Sequence, residues 1–352
     1  MILKNLIKNI ILLSIALIFS LIFVEILLRV LKLDYGKSPL NRSKIFHHEH
    51  PKNYSFTMHD EDGAREFGGF KVFYENNGFR VKNRNIKNIF SKDKKNSIIF
   101  LGDSFTEGNQ VLYEDTFVYK IGKKLNLETL NLGTASYSPI IYYSQILNLL
   151  TNIKSQIVIM QIYSNDFKND YEYSKRIKIL NNGKIAIDGG KNNKIIVFLR
   201  KFYVARFVKK NYLLIKTIIN NYNNQNKYNG SEHEKKYLME QNVNDIDFEY
   251  SSNIIQKINN ELKNKNKKLM VFMIPSKSLS MKNQCCANDL LYKRFKKKMK
   301  ELEISFIDIA PKLEKKNIQS KFFFNRDIHL NSNGHSFLSE VISSELKKNN
   351  ET

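Results

Sequence analysis

The chain has 352 residues, enough for one large domain or two small ones with a sizeable core. Its formal net charge of +23 comes mostly from Lys and travels with abundant Asn and Ile, a compositional bias as readily as a polyanion-binding surface. With no helix-turn-helix, zinc-finger or RNA-binding signature beside it, the charge gives no ground for a nucleic-acid partner. The two cysteines, Cys285 and Cys286, are adjacent, so there is neither a disulfide framework nor the spacing of a cysteine metal site.

The first predicted element is a membrane helix. Residues 10–28 are apolar except for Ser14, Ser20 and Glu25. As a helix this run spans about 28 Å, close to the hydrocarbon thickness of a bilayer. Lys4 and Lys8 precede it, and no small-x-small cleavage site follows, so residues 1–32 read as a retained signal anchor. The alternative is a buried core helix. Arg29 and Lys32 balance the two preceding lysines, which weakens the orientation signal. The reading adopted is a single pass with the N-terminus inside and the main domain periplasmic or otherwise extracytoplasmic.

Residues 33–95 form a mixed, polar segment containing "FGGF" and "NNGFR", with a short hairpin expected around Val72, Phe73 and Tyr74. An α/β rhythm then begins. "SIIFL", Ser97–Leu101, is a short continuous apolar run, as in a strand buried on both faces. A helix follows around Asp115–Leu125, a strand near Thr129–Leu132, a helix over Tyr142–Leu150 and a strand over Ser155–Ile162. Two further helix-then-strand pairs end near Pro275 and Ile309, and a last helix covers Ser336–Lys347. Strands alternating with helices imply right-handed crossovers and a mainly parallel sheet. The domain therefore runs over residues 96–350, with 171–245 as an insertion that breaks the rhythm. That insertion holds a hairpin turning at Asn182-Gly183, then a basic amphipathic helix, then an Asn-, Lys- and Tyr-rich loop. The basic helix either packs on the domain or rests on anionic lipid.

Four short signals fall at the ends of successive α/β units: Ser104 in "GDSFTEG", Gly133 in "NLGTASYSP", Asn165 in "YSND", and Asp327 with His329 in "RDIHLNSNGH". An attacking serine needs a base, the base needs an orienting group, and the developing oxyanion needs fixed donors. Ser104, His329 and Asp327 supply the first three parts. The Ser104 and Gly133 amides and the Asn165 side chain supply the donors. Each signal has a plainer reading: Asn165-Asp166 as a helix cap, Gly133 as a turn, His329 as a surface histidine. His335 reads as structural, packing at the start of the last helix.

These blocks resemble the SGNH hydrolase superfamily, also called GDSL-like hydrolases, which carry Ser, Gly, Asn and His in this order. "NNGFRVKN" also resembles a segment preceding the serine block in membrane-anchored bacterial members. The resemblance implies a three-layer α/β/α flavodoxin-like domain and ester or acyl-group chemistry, with neither metal nor organic cofactor. It implies Ser104 as nucleophile, Asp327 and His329 as the rest of the triad, and Gly133 and Asn165 as oxyanion donors. Two departures stand out. Tyr163 holds a place that is often glycine, which is expected to narrow the pocket mouth. Asp327 and His329 are two residues apart, a spacing that places both on one side of an extended segment. The resulting expectation is a membrane-anchored serine esterase-type hydrolase acting on an acylated carbohydrate, lipid or small ester. The alternatives are an O-acyltransferase of cell-envelope polysaccharide and a catalytically silent binder of anionic glycans. An intact Ser104, Asp327 and His329 argues against the last.

Overall fold

The computed structural model describes residues 2–31, 39–58, 69–90, 97–150, 153, 155–225, 243–275, 277, 289–314, 319–324 and 327–350. Cys285, Cys286 and the loop expected after the basic helix lie outside the described residues. Helix α1, Ile2–Val30, is apolar and almost wholly exposed, and is long enough to cross a membrane by length and composition.

Two small sheets follow. Strands β1 (Asn41–Arg42) and β2 (His48–Glu49) pair antiparallel, and β3 (Ser55–Met58), β4 (Phe70–Tyr74) and β5 (Arg80–Val81) form an antiparallel meander. The meander buries Phe56, Met58, Val72 and Tyr74 as a small cluster of its own. Phe79, Val81 and Ile89, just beyond, belong to the main core.

The main sheet begins with β6 (Ser97–Leu101), all five residues buried, followed by the single turn α2 (Ser104–Glu107) and by α3 (Phe117–Leu125). Thr116 caps α3 by accepting from the Tyr119 N–H, and Asn126 closes it in the left-handed conformation at φ 51°. Next come β7 (Glu128–Asn131), α4 (Pro139–Leu149), β8 (Ile157–Ile162) and α5 (Asn165–Ser174). The insertion supplies the hairpin β9 (Ile177–Ile179) and β10 (Ile185–Ile187), turned at Gly183 with φ 76°, then α6 (Lys194–Leu199) and α7 (Tyr203–Gln225). It does not stand apart. Ile187 bridges Phe46, its N–H donates to Ile45 O at 2.8 Å, and its side chain is buried in the main core. The chain then completes the alternation with α8 (Asp245–Lys263), β11 (Lys268–Met273), α9 (Leu290–Glu301), β12 (Ser305–Phe306), α10 (Ala310–Glu314) and α11 (Ser332–Asn350).

The five strands lie in the order β12-β11-β8-β6-β7, all parallel. Helices α3 and α11 pack together on one face, and α4, α5 and α8 on the other, where Phe167 of α5 meets Phe248 of α8 and Phe295 of α9. This is a three-layer α/β/α arrangement with flavodoxin-like strand order. Such sheets reverse direction beside their first strand, here β6, and ligands bind outside the carboxyl ends at that point.

Candidate active site

Ser104 stands directly after β6, and the turn that presents it tolerates no side chain at Gly102. A Cβ there would sit 2.1 Å from Thr106 Oγ1 and 2.7 Å from Gln161 Oε1. Asp103 caps the single turn α2, its Oδ1 accepting from the Phe105 N–H at 2.9 Å. Gln161 of the adjacent strand β8 accepts from the Asp103 N–H at 3.2 Å and from Thr106 Oγ1 at 3.0 Å. The serine's turn is thus fixed from within and from its neighbour. Burial raises the Asp103 carboxyl above the usual carboxylate range, against the opposing pull of the Phe105 N–H and His329.

The other end of the chain meets it. His329 Nε2 lies 2.7 Å from Ser104 Oγ, and His329 Nδ1 is in hydrogen-bond contact with Asp327 Oδ1. The same carboxylate oxygen accepts from the His329 backbone N–H at 2.7 Å. The two residues meet through a bend closed by that bond, not through the extended segment their spacing suggests. Their loop is held at several points. Lys277 Nζ donates to Phe324 O at 2.6 Å and to Asp327 O at 2.9 Å, and Phe323 bridges Leu330 just before α11. The His329 and Asp327 side chains keep 16% and 23% of their surface, so solvent and substrate can reach them.

Phe105 backs the histidine, with ring centroids 4.9 Å apart, and its other contact is Tyr163 at 4.6 Å. Tyr163 is only 2% exposed. It does not narrow a pocket mouth as its position in the sequence suggests; it fills space behind Phe105, where an aromatic pair gains more from burial than a solvated ring.

The expected oxyanion donors are placed differently from one another. Gly133 follows β7, beside β6, and packs so tightly on α2 that a Cβ would meet the Glu107 N at 2.5 Å. Its N–H, however, donates to Asn131 Oδ1 at 3.0 Å, while Asn131 Nδ2 donates to Thr106 O at 2.8 Å. In this arrangement the Gly133 amide is taken up within its own buried loop by Asn131, unlike the other expected donors. The Ser104 N–H has no acceptor among the described residues. Asn165 begins α5 after β8, is exposed, and its side chain bonds to none of the described residues. It is not the cap of that helix: Ser164 holds the cap position, without a side-chain cap bond, and Asp166 Oδ2 accepts the Tyr163 N–H at 3.1 Å. His335 is buried, stacks on Phe117 at 5.7 Å and accepts from the Phe117 N–H at 3.2 Å. Burial, with nearby cations, holds it down to about 3, so it is a neutral packing residue.

One cluster was not foreseen from the sequence. Glu107, at the end of α2, is fully buried. Its Oε1 accepts from Tyr74 Oη at 2.6 Å and Asn109 Nδ2 at 2.9 Å, with His50 Nε2 at 3.1 Å, and its Oε2 accepts from the Ala135 N–H at 2.9 Å. Arg80, also buried, donates to Glu107 O at 3.1 Å, to Val111 O at 2.7 Å and to Gly108 O. The Arg in "NNGFR" was the only visible sign, and spacing alone could not link it to the serine block. Among the described residues, no group of three or more His, Cys, Asp or Glu is placed to hold a metal ion.

Residues 233–352 match a family model described as an SGNH hydrolase-like domain, acetyltransferase AlgX. The match takes in Asp327 and His329 and begins after Ser104. No curated protein matches the chain. Solved structures similar to it include a member of the lipolytic protein G-D-S-L family from Veillonella parvula DSM 2008, at 14% identity and a TM-score of 0.39, covering 70% of this chain and 94% of that one. The lipase/acylhydrolase from Enterococcus faecalis is similar at 12% identity and a TM-score of 0.40, covering 72% and 96%. A GDSL-like lipase from Bacteroides thetaiotaomicron VPI-5482 is similar at 12% and 0.40, covering 75% and 94%. Over residues 233–352 the chain is similar to an SGNH hydrolase-like domain, its described residues form a three-layer α/β/α frame, and it is an enzyme of hydrolase or acyltransferase type.

Proposed function

We propose that the chain is a membrane-anchored serine enzyme that opens ester bonds through an acyl-enzyme on Ser104, with α1 as the anchor. The observation that carries this reading is the unbroken contact from Ser104 Oγ to His329 Nε2 at 2.7 Å and from His329 Nδ1 to Asp327. Ser104 Oγ attacks the ester carbonyl while His329 Nε2 takes the hydroxyl proton. Asp327 holds the Nδ1–H tautomer and favours the imidazolium that forms. The tetrahedral oxyanion is met by the Ser104 N–H and the Asn165 side chain, neither of which meets an acceptor among the described residues. His329 returns the proton to the leaving alkoxide. A second hydroxyl, deprotonated by the same imidazole, then attacks the acyl-serine and releases the acid or a new ester.

The acceptor in the last step separates two readings. Water makes the enzyme an esterase, which the solvent-reachable triad favours. A carbohydrate hydroxyl makes it an O-acyltransferase, which the acetyltransferase description of the matched family model favours. Both require the same nucleophile. The test is labelling of the full chain with a fluorophosphonate probe, beside turnover of a short-chain acyl ester. Wild type should label and turn over, and Ser104→Ala should do neither while unfolding at the same denaturant midpoint. Ester turnover surviving within a few-fold in Ser104→Ala would remove Ser104 as nucleophile.

A further inference from the structure

We propose that α6 and α7 form a lipid-contacting face that lays the domain against an anionic bilayer surface where α1 emerges, an inference that rests on reading α1 as a membrane span. The first observation is a stripe. Val208, Tyr212, Ile215 and Ile219 of α7 follow the i, i+4, i+7, i+11 spacing of one helix face, and each is between 52% and 62% exposed. On a helix packed into a domain this stripe would be covered. The short α6 adds Ile195, Phe198 and Leu199, also exposed. So much outward apolar surface on adjoining helices marks a contact site.

The second observation is charge. Lys209 and Lys216, both exposed, each follow a stripe residue by one position and so flank the same side of the stripe. An apolar face edged by lysines suits the boundary between acyl chains and anionic headgroups. The third observation fixes where this face lies. Glu25 Oε2 of α1 accepts from the Val204 N–H of α7 at 2.9 Å. Arg29 donates to Lys201 O at 3.1 Å, pairs with Glu25 at 2.6 Å and lies 4.8 Å from the centre of the Tyr203 ring. The start of α7 is thereby held at the last turns of α1, the level at which a spanning helix leaves the hydrocarbon. Arg and Tyr are the side chains that settle there. Continuity with the anchor selects the bilayer over a second copy of the chain as occupant.

The experiment uses the full chain, with Cys285→Ser and Cys286→Ser, in phosphatidylglycerol–phosphatidylcholine vesicles. A fluorophore is attached through Ile215→Cys on the stripe, Ile15→Cys within α1, or Lys168→Cys on the exposed side of α5. Brominated acyl chains should quench positions 215 and 15, and aqueous iodide should quench position 168. Quenching of 215 by iodide, with 15 quenched by bromolipid, would overturn the lipid face and leave the anchor standing. Shielding of 215 from both quenchers would assign the stripe to a protein partner and overturn it equally. If bromolipid fails to quench 15, the anchor reading fails and this inference with it. Lys209→Glu with Lys216→Glu should reduce bromolipid quenching at 215 and leave 15 unchanged; an unchanged signal at 215 would overturn the anionic surface.

Discussion

Glu107 links the serine's turn to the segment that precedes the domain. Burial alone would push its carboxyl up, but His50, Tyr74 and Asn109 outweigh that and hold it down to about 2. It is therefore ionised in the folded protein, and its interactions contribute stability that is present above the unfolded value near 4.5 and lost as pH falls towards 2. Glu107→Gln should destabilise the protein by about 1–3 kcal/mol at neutral pH, because buried donors lose their charged acceptor. The gap between wild type and variant should narrow as denaturant midpoints are followed below pH 4.5; a constant gap would show that the charge contributes nothing. Asn165 makes the opposite case, an exposed side chain that bonds to none of the described residues. Asn165→Ala should lower kcat by roughly a hundred- to a thousand-fold, the usual cost of one oxyanion donor, with stability unchanged. Turnover per folded molecule equal to wild type would remove it from the oxyanion site. The sequence made Asn165 legible because a short block carries it after a strand. Glu107 sat in a block just as plain, yet its partners at positions 50 and 74 lie in strands and loops whose approach no local spacing records.

Strands β6, β8 and β11 were readable because each is a largely apolar run, and α3, α8 and α9 because each is amphipathic. The strand expected near Thr129–Leu132 runs from Glu128 to Asn131, since its boundary is set by pairing with β6. The helix expected from Tyr142 starts three residues earlier, at Pro139, whose missing N–H suits a first turn. Pairing between elements far apart in sequence was not readable, as in the bridge of Ile187 to Phe46 or the contact of α7 with α1. Asp170 shows how such contacts are made. It lies on α5 and joins it to the start of α4, accepting from Ser138 Oγ at 2.5 Å and the Ile140 N–H at 2.8 Å. Burial pushes its carboxyl up to about 7, so the folded state holds a proton that the unfolded state releases near 3.8. Its contribution is therefore favourable below 3.8 and is lost as pH rises to 7. His47 and His48, each depressed to about 4 by burial, act in the opposite sense, losing stability as pH falls from 6.5. A difference measurement isolates the carboxyl. Asp170→Asn should gain stability relative to wild type as pH rises from about 4 to 7, then run parallel to it. Parallel curves across that whole window would mean that Asp170 is an ordinary carboxylate in the fold.

For the whole molecule the remaining question is which hydroxyl would resolve the acyl-serine proposed above, and the architecture bears on how it can be asked. Residues 171–245 directly follow the Asn165 block and carry the face assigned above to lipid, which makes them the candidate for a wall beside the site. Removing them is a poor test. Ile187 is buried in the main core and its backbone bonds to Ile45 and His47, so the deletion would take stability along with any shielding. Partitioning in the intact chain is cleaner. An acyl-enzyme formed from a short ester divides between water and any bound alcohol, and only a site that positions the alcohol near His329 lets it compete with water. The His329 and Asp327 side chains keep part of their surface open, so hydrolysis is the expected outcome when no acceptor is present. Adding an oligosaccharide to the vesicle-bound full chain should then leave free acid as the main product if the enzyme is an esterase. If it is a transferase, O-acylated oligosaccharide should rise in proportion to acceptor while free acid falls, and both products should vanish in Ser104→Ala. Product analysis by mass spectrometry at matched donor consumption separates the two outcomes. Diversion of most acyl groups to the oligosaccharide would overturn the esterase reading while leaving the Ser104 acyl-enzyme in place.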